Sequence, residues 1–237
     1  MGSASSTPLS AAFAGADSLN EDYRAVVAGS TGATGRWCVC EFLQDPNCKK
    51  VVALTRRSIA DTRAVFPLGD LEKLEVKEVA DFSTLESLQI ESLNGPSPIY
   101  AVCALGSAPF SEMSDFVIPG YFGDFCKKIR VKKMSLISSV SAQTGSIFGY
   151  LDTLGRREDK FINLGFENLL ILRPGFLLRQ ELRRFKERFE VFFPESKKID
   201  TRDLAKVVRH TLCKKIPTAL TILEQNDIKA ISLQMGS

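Results

Sequence analysis

Residues 24–36 read Arg24-Ala25-Val26-Val27-Ala28-Gly29-Ser30-Thr31-Gly32-Ala33-Thr34-Gly35-Arg36. A short apolar run ends in three glycines at a regular spacing, and the third opens a stretch of helical character over 35–43. On its own the spacing is weak. Placed between an apolar strand and a helix, it is the arrangement that a dinucleotide pyrophosphate requires. The first glycine permits a tight turn, the middle one lets the backbone approach the phosphates, and the third lets helix and strand pack closely. The helix N-terminus then offers free N–H groups and partial positive charge.

Outward from this loop, strand and helix patterns alternate. Strand patterns cover 50–55, 74–79, 99–104, 133–138 and 169–172, and helical patterns cover 83–93, 120–128 and 148–164. Such alternation predicts an α/β fold built on a doubly wound parallel sheet of the Rossmann type. After Pro174 the pattern changes. Residues 181–193 read as a charged helix, Thr201 as the N-cap of a helix reaching about 213, 219–223 as a late strand and 224–229 as a late helical turn. With no internal repeat and no linker, residues 21–237 are expected to form a single domain, the part from about 176 making a small C-terminal cap plus the last strand. Residues 1–20, rich in Ser, Ala and Gly, offer little to bury and are expected to form a disordered tail.

The 237 residues are 44% hydrophobic and 25% charged, with a net charge of +3. This is an ordinary globular composition, and the charge is too small to imply nucleic-acid binding. No apolar run reaches the length of a membrane-spanning helix. The cysteines (Cys38, Cys40, Cys48, Cys103, Cys126, Cys213) include no C-x-x-C pair, and the single histidine, His210, stands far along the chain from most of them, so no metal site is expected. His210 suits a surface or helix-end position. Packed, reduced thiols fit a reducing compartment. No Lys or Arg precedes Arg24, which argues against an Arg-rich mitochondrial transit peptide and against a secretory signal; the expected location is cytoplasmic. Met1-Gly2-Ser3-Ala4-Ser5-Ser6 fits the N-myristoylation pattern and would give at most a weak lipid anchor at Gly2.

The second strand pattern ends at Thr55, where NAD-preferring proteins place an acid for the ribose 2′-hydroxyl. Arg56 and Arg57 stand there instead. A guanidinium suits a 2′-phosphate, so the expected cofactor is NADP(H).

With these features in view, the chain resembles the atypical short-chain dehydrogenase/reductases, and within them the Tat-interacting-protein oxidoreductase family of the metastasis-suppressor type. The pieces that carry the resemblance are GSTGATGR (29–36), LTRRS (54–58), VADF (79–82), CALG (103–106), LISS (136–139), Tyr150, LRPG (172–175) and LTILEQNDI (220–228). The resemblance implies that Gly29, Thr31, Gly32, Thr34 and Gly35 hold the pyrophosphate and that Arg56 and Arg57 hold the 2′-phosphate. It places Asp81 and Phe82 beside the adenine, and Ala104, Leu105 and Gly106 along the cofactor's centre. Ser138, Ser139 and Tyr150 would sit at the nicotinamide as catalytic candidates, with Arg173, Pro174 and Gly175 on its far side.

One departure matters. Short-chain dehydrogenases use a tyrosine and a lysine four residues later, which share a helix face. The lysine's charge favours the phenolate, and its amine grips the nicotinamide ribose. Here the fourth residue after Tyr150 is Leu154. Lys160 falls on a different face, and Arg157 falls on nearly the right face but about two turns away, so neither is expected to substitute. Pro119 stands where the family usually has an acid, which implies a reshaped segment.

Two functions therefore compete: an NADP(H)-binding protein with a regulatory or scaffolding role and weak or no catalysis, and an NADPH-dependent oxidoreductase acting on a small carbonyl compound. Leu154 favours the first. The intact glycine loop and arginine pair argue against a purely structural use of the fold. For protein partners, the expected surface is the segment from Arg183 to Phe193, where Phe185 and Phe189 share a helix face; a cap over the pocket is the alternative role.

Overall fold

The computed structural model describes residues 13, 17–107, 109–179, 194–215 and 218–235. The expected tail pattern at Met1–Ser6 and the expected helix at 181–193, with its proposed partner surface, lie outside the described residues.

The first strand, β1 (Tyr23–Ala28), is buried along its whole length. It runs between β2 (Cys48–Thr55) and β4 (Ile99–Cys103), parallel to both. With β3 (Leu74–Glu78), β5 (Lys133–Ile137), β6 (Asn168–Arg173) and β9 (Leu220–Glu224), these strands form a seven-stranded sheet in the order β3-β2-β1-β4-β5-β6-β9, parallel throughout. Central strands of a parallel sheet are covered on both faces, which is why 24–28, 51–55 and 99–103 read as near-continuous apolar runs. Ala25 and Val27 belong to one core, Val26 and Ala28 to the other.

On the first face lie α1 (Gly35–Gln44), α4 (Thr201–Leu212) and α5 (Gln225–Met235), bringing Val39, Phe42, Leu204, Val208 and Ile228 to the sheet. On the second lie α2 (Ile118–Lys128) and α3 (Gly149–Asn163), bringing Phe122, Phe125 and Phe161. Each such buried side chain contributes roughly 1.5–3 kcal/mol. The strand order reverses between β1 and β4, and the crevice at their carboxyl ends is where open α/β sheets place ligands.

The fold is the Rossmann-type fold expected, with local differences. The expected helix at 83–93 is instead two 3-10 turns, Phe82–Ser87 and Glu91–Leu93. There the Thr84 hydroxyl donates to Asp81 O and the Ser87 hydroxyl to Thr84 O, side-chain bonds that compete with a regular helix. The N-cap of α4 is Asp200, whose carboxylate accepts from Arg202 N–H, and Thr201 is the first helical residue. The late turn at 224–229 extends to Met235, because Ile228 and Ile231 bury one face of it. Two short strands, β7 (Phe176–Leu178) and β8 (Lys198–Asp200), pair in parallel beside the main sheet. At three residues each they are too short for alternation to reveal. The cysteines are all free, five of them buried, and among the described residues no helix is long and apolar enough to cross a membrane.

Candidate functional site

The glycine loop is shaped by sterics that only glycine satisfies. Gly29 has φ +76°, and a Cβ there would lie 2.5 Å from Ala104 O; β1 can turn this closely against the end of β4 only without a side chain. A Cβ at Gly35 would lie 2.1 Å from Gly29 O, so α1 begins in direct backbone contact with the loop. Gly32 differs: its Cβ would meet Gly29 O alone, at 3.1 Å. The Gly32 N–H donates to Gly29 O at 2.9 Å, and the Ser30 hydroxyl donates to Leu54 O at 2.7 Å, tying the loop to the end of β2.

Gly32, Ala33 and Thr34 form one wall of a cavity of about 130 Å³ at the β1/β4 reversal. Ala104 to Ser107, following β4, form the floor, and Ser138, Tyr150, Leu154 and Arg157 face the loop. A larger cavity, about 1190 Å³, opens at the opposite edge, around Arg24, Pro96 and Lys132. It lies at the amino ends of the strands and contains neither glycine loop nor tyrosine, so the smaller cavity is the candidate site.

The start of α3 is held against the 139–148 loop. A Cβ at Gly155 would lie 2.1 Å from Thr144 N, so this helix packs backbone to backbone on the loop. Gln143 N–H donates to Leu151 O at 3.1 Å, Gly145 N–H to Asp152 Oδ1 at 2.7 Å, and the Thr144 hydroxyl to Asp159 Oδ2 at 2.6 Å. These bonds fix Tyr150 at the cavity mouth, the residue 42% exposed and its ring edge-on to Phe110 at 5.6 Å. Burial raises its hydroxyl pKa above the ordinary tyrosine value; the Arg157 charge opposes that shift, Asp115 adds to it, and the Arg179 charge and the Ser139 hydroxyl also oppose it. Ser138 is buried, and its hydroxyl has no partner within the protein, an orphan donor at the cavity wall.

Leu154 is 2% exposed and apolar, so the place of a lysine amine is filled by hydrocarbon. Three charged groups line the cavity, Asp115, Arg157 and Arg179. Arg157, 2% exposed, donates to Leu105 O at 3.1 Å and Ile137 O at 2.9 Å. Asp115 accepts from the Ser107 hydroxyl at 2.6 Å and from the N–H groups of Ser107 and Ser111, both at 3.1 Å. Asp115 sits in a π-helical turn, Met113–Val117, that leads into α2 with Pro119 in its first turn. Proline has no N–H for the Asp115 carbonyl, and its ring crowds a regular helix at that carbonyl, which a wider turn relieves. This is the reshaping that Pro119 implied.

The remaining expected site residues fall around this cavity. Thr31 is exposed on the glycine loop. Arg56 and Arg57 are exposed immediately after β2, beside that loop. Asp81 caps the 3-10 turn by accepting from Ser83 N–H, which lowers its carboxyl pKa, while Phe82 is buried in the second core. Arg173 lies off the cavity wall, paired with Glu158 at 2.5 Å and Glu224 at 2.9 Å. Pro174 accepts from Val140 N–H at 3.0 Å, and Gly175 N–H donates to Gln225 Oε1 at 2.7 Å, so both brace the loop after β6. Of the charged groups at the cavity, Arg157 is legible in the sequence on nearly the right face, since seven residues return a helix to within about 20°, and its distance of about two turns is what sets it aside; Asp115 carries no such signal.

No family model matches the chain. Among curated proteins, "Protein fmp52, mitochondrial" of Aspergillus fumigatus is 30% identical over 164 residues, 65% of this chain and 68% of that protein. The chain belongs to the FMP52 family. "Protein FMP52, mitochondrial" of Candida albicans is likewise 30% identical, over 155 residues, 64% of this chain and 66% of the relative. The Saccharomyces cerevisiae FMP52 is 28% identical over 158 residues, 65% of each chain. The matched stretch is thus about two thirds of each protein. These relatives carry the FMP52 name and not that of the Tat-interacting-protein oxidoreductases.

They also correct the cytoplasmic expectation, since the relatives are named mitochondrial. That expectation rested on the lack of early basic residues, which speaks only to a transit peptide of the Arg-rich type. Solved structures share the fold. A putative NAD-dependent epimerase/dehydratase from Bacillus halodurans aligns with TM-score 0.62 and 18% identity over 89% of this chain and 99% of that one. Bordetella bronchiseptica WbmG, solved in complex with NAD, aligns with TM-score 0.60 and 14% identity over 86% of this chain and 73% of that one.

Proposed function

We propose that this FMP52-family protein binds a nicotinamide dinucleotide, in its phosphorylated form NADP(H), along the carboxyl edge of β1, β2 and β4, and that it turns over carbonyl substrates weakly. The observation that carries the reading is the continuity of the glycine loop with the cavity holding Ser138 and Tyr150. The open side of Gly32 suits a pyrophosphate, and the orphan Ser138 hydroxyl suits a polar ligand group. The cavity accommodates one ring-sized group, the rest of the dinucleotide lying across the open edge toward Arg56 and Arg57. Their guanidinium groups favour a 2′-phosphate, as no acid stands at the end of β2 to bond a ribose hydroxyl. The structural relatives solved with NAD add support for the dinucleotide itself and none for the extra phosphate.

The bound cofactor would supply or accept a hydride. The chain's own part would be to hold a substrate oxygen by Ser138 or Ser139 and to pass a proton at the Tyr150 hydroxyl. Leu154 leaves the nicotinamide ribose without a lysine, which is why slow turnover and a regulatory or scaffolding role are favoured. Reduction of a small carbonyl compound at a useful rate is the second reading, supported by Ser138 and Tyr150 lining one cavity. Given the names of its relatives, we place its work in the mitochondrion.

Trp37, the only tryptophan, lies in α1 two residues beyond the glycine loop and gives a direct readout. Titration with NADPH and NADH should change its fluorescence saturably, NADPH binding at least about tenfold tighter, or about 1.4 kcal/mol. Absence of saturable binding by both nucleotides, checked by calorimetry, sinks the cofactor reading; equal affinities sink the choice of NADP.

A further inference from the structure

Arg157 is a full positive charge that is 2% exposed, and its hydrogen bonds are to two carbonyl oxygens, of Leu105 and Ile137. Neither is a carboxylate. Among the described residues Arg157 makes no ion pair, although Asp115 lines the same cavity; a buried cation held only by carbonyl oxygens is costly, and its field reaches far because the surroundings are poorly polarisable. Leu105 and Ile137 both line the cavity, so the guanidinium is held on the cavity wall. Two geometric facts aim it at Tyr150. Position 157 lies within about 20° of the same helix face as position 150. The rise between them is about 10 Å, and helical side chains lean toward the helix N-terminus, so the long arginine arm reaches back along α3 toward the tyrosine.

We propose that Arg157 performs the electrostatic half of the task a lysine at position 154 would perform: its buried charge stabilises the anionic form of the Tyr150 hydroxyl. When that hydroxyl gives its proton to a substrate oxygen, the electron pair of the O–H bond stays on the tyrosine oxygen, and Arg157 stabilises the charge left there; a bound reduced nicotinamide would supply the hydride that the substrate carbon gains. The other half of the lysine's task is left undone, because the guanidinium is committed to main-chain carbonyls and does not hold the ribose. Arg157 is thus a positioning residue that acts through Tyr150. The proposal deepens the cofactor-site reading and takes its purpose from it, but its test needs no cofactor.

The groups facing Tyr150 are Arg157 from α3, Asp115 from the π-helical turn, Arg179 after β7 and Ser139 after β5. Arg157 and Arg179 favour the phenolate and Asp115 disfavours it. The experiment is a pH titration of the full-length, nucleotide-free protein labelled with 13Cζ-tyrosine and followed by NMR, the Tyr150 signal assigned as the one lost in Tyr150→Phe. Arg157→Met should raise the Tyr150 midpoint by about one pH unit or more, a tenfold weaker acid, and Arg157→Lys should restore most of the shift. Should Arg157→Met fail to fold, Arg157→Gln keeps a donor for the carbonyls, removes the charge and is expected to give the same upward shift. Coincident titrations of wild type and the folded neutral variant overturn the proposal, as does an Arg157→Lys midpoint equal to that of the neutral variant. Loss of NADPH binding in the wild type overturns the cofactor reading and leaves these midpoints untouched, so the two failures are separable.

Discussion

Across the cavity at the β1/β4 reversal, one wall is made of main chain and the other of side chains. The glycine wall is held by contacts that no other residue permits: Gly29 against Ala104 and Gly35 against Gly29. The tyrosine wall is held by packing of α3 on the 139–148 loop, and its chemistry sits on Tyr150, Leu154 and Arg157. The backbone wall is a turn whose shape only glycine permits. The side-chain wall carries Leu154 where the resemblance implies a lysine, together with a buried arginine and a buried aspartate. A cradle fixed by sterics changes all at once or not at all, whereas charges on a helix face can be moved by a turn while the fold stays as it is. Binding and catalysis can therefore separate in this fold without separating in space.

Substitutions in the two walls should behave differently. The largest effect is expected for Gly32→Val, whose side chain would occupy the open side of the loop; saturable NADPH binding should disappear while the circular dichroism spectrum and cooperative unfolding are kept. Retained affinity would show that the loop is only a turn. Gly35→Ala should instead damage the fold, since its Cβ would lie 2.1 Å from Gly29 O. A loss of about 3 kcal/mol, at the upper end for overpacking, is expected from urea unfolding. An unfolding free energy equal to wild type would mean that α1 can shift away at no cost.

On the tyrosine wall the test is pH. Because the Tyr150 pKa lies above the ordinary value of 10.0, the phenolate is the minor form at neutrality, and its population grows tenfold per pH unit below the pKa. Any alcohol oxidation that needs the phenolate should rise about a hundredfold from pH 7 to 9 without levelling. A plateau near neutrality would mean that the residual charges already do all that a lysine would. The smallest effect is expected at the open end of the glycine wall. Changing Arg56 and Arg57 to alanine together should weaken NADPH binding about tenfold, or about 1.4 kcal/mol, and leave NADH unaffected. Equal losses for both nucleotides would assign the pair to general attraction of phosphate.

The strands were legible because a buried parallel strand must be apolar on both faces, and β1, β2 and β4 announce this in their residues. The segment after Asp81 was not, since its apolar positions suit a helix while Thr84 and Ser87 divert its hydrogen bonding into 3-10 turns. Among the candidate site residues, those on the glycine loop were readable because the motif is contiguous and its shape is set by the backbone. Arg173 was readable as part of a motif, yet its guanidinium is committed to Glu158 and Glu224.

The sequence by itself determined the sheet, the glycine turn that opens toward a phosphate-sized ligand, and the absence of a lysine at position 154, since each depends on neighbours in the chain. Only the tertiary structure decided that Arg157 and Asp115 face the same cavity as Tyr150. Asp115 reaches it through a π-helical turn that shifts the register ahead of Pro119, and Arg157 through a side chain that leans back along α3 to carbonyls following β4 and ending β5. Strand order brings those carbonyls together, and a charge acts through distance in space, which the spacing of residues along the chain does not record.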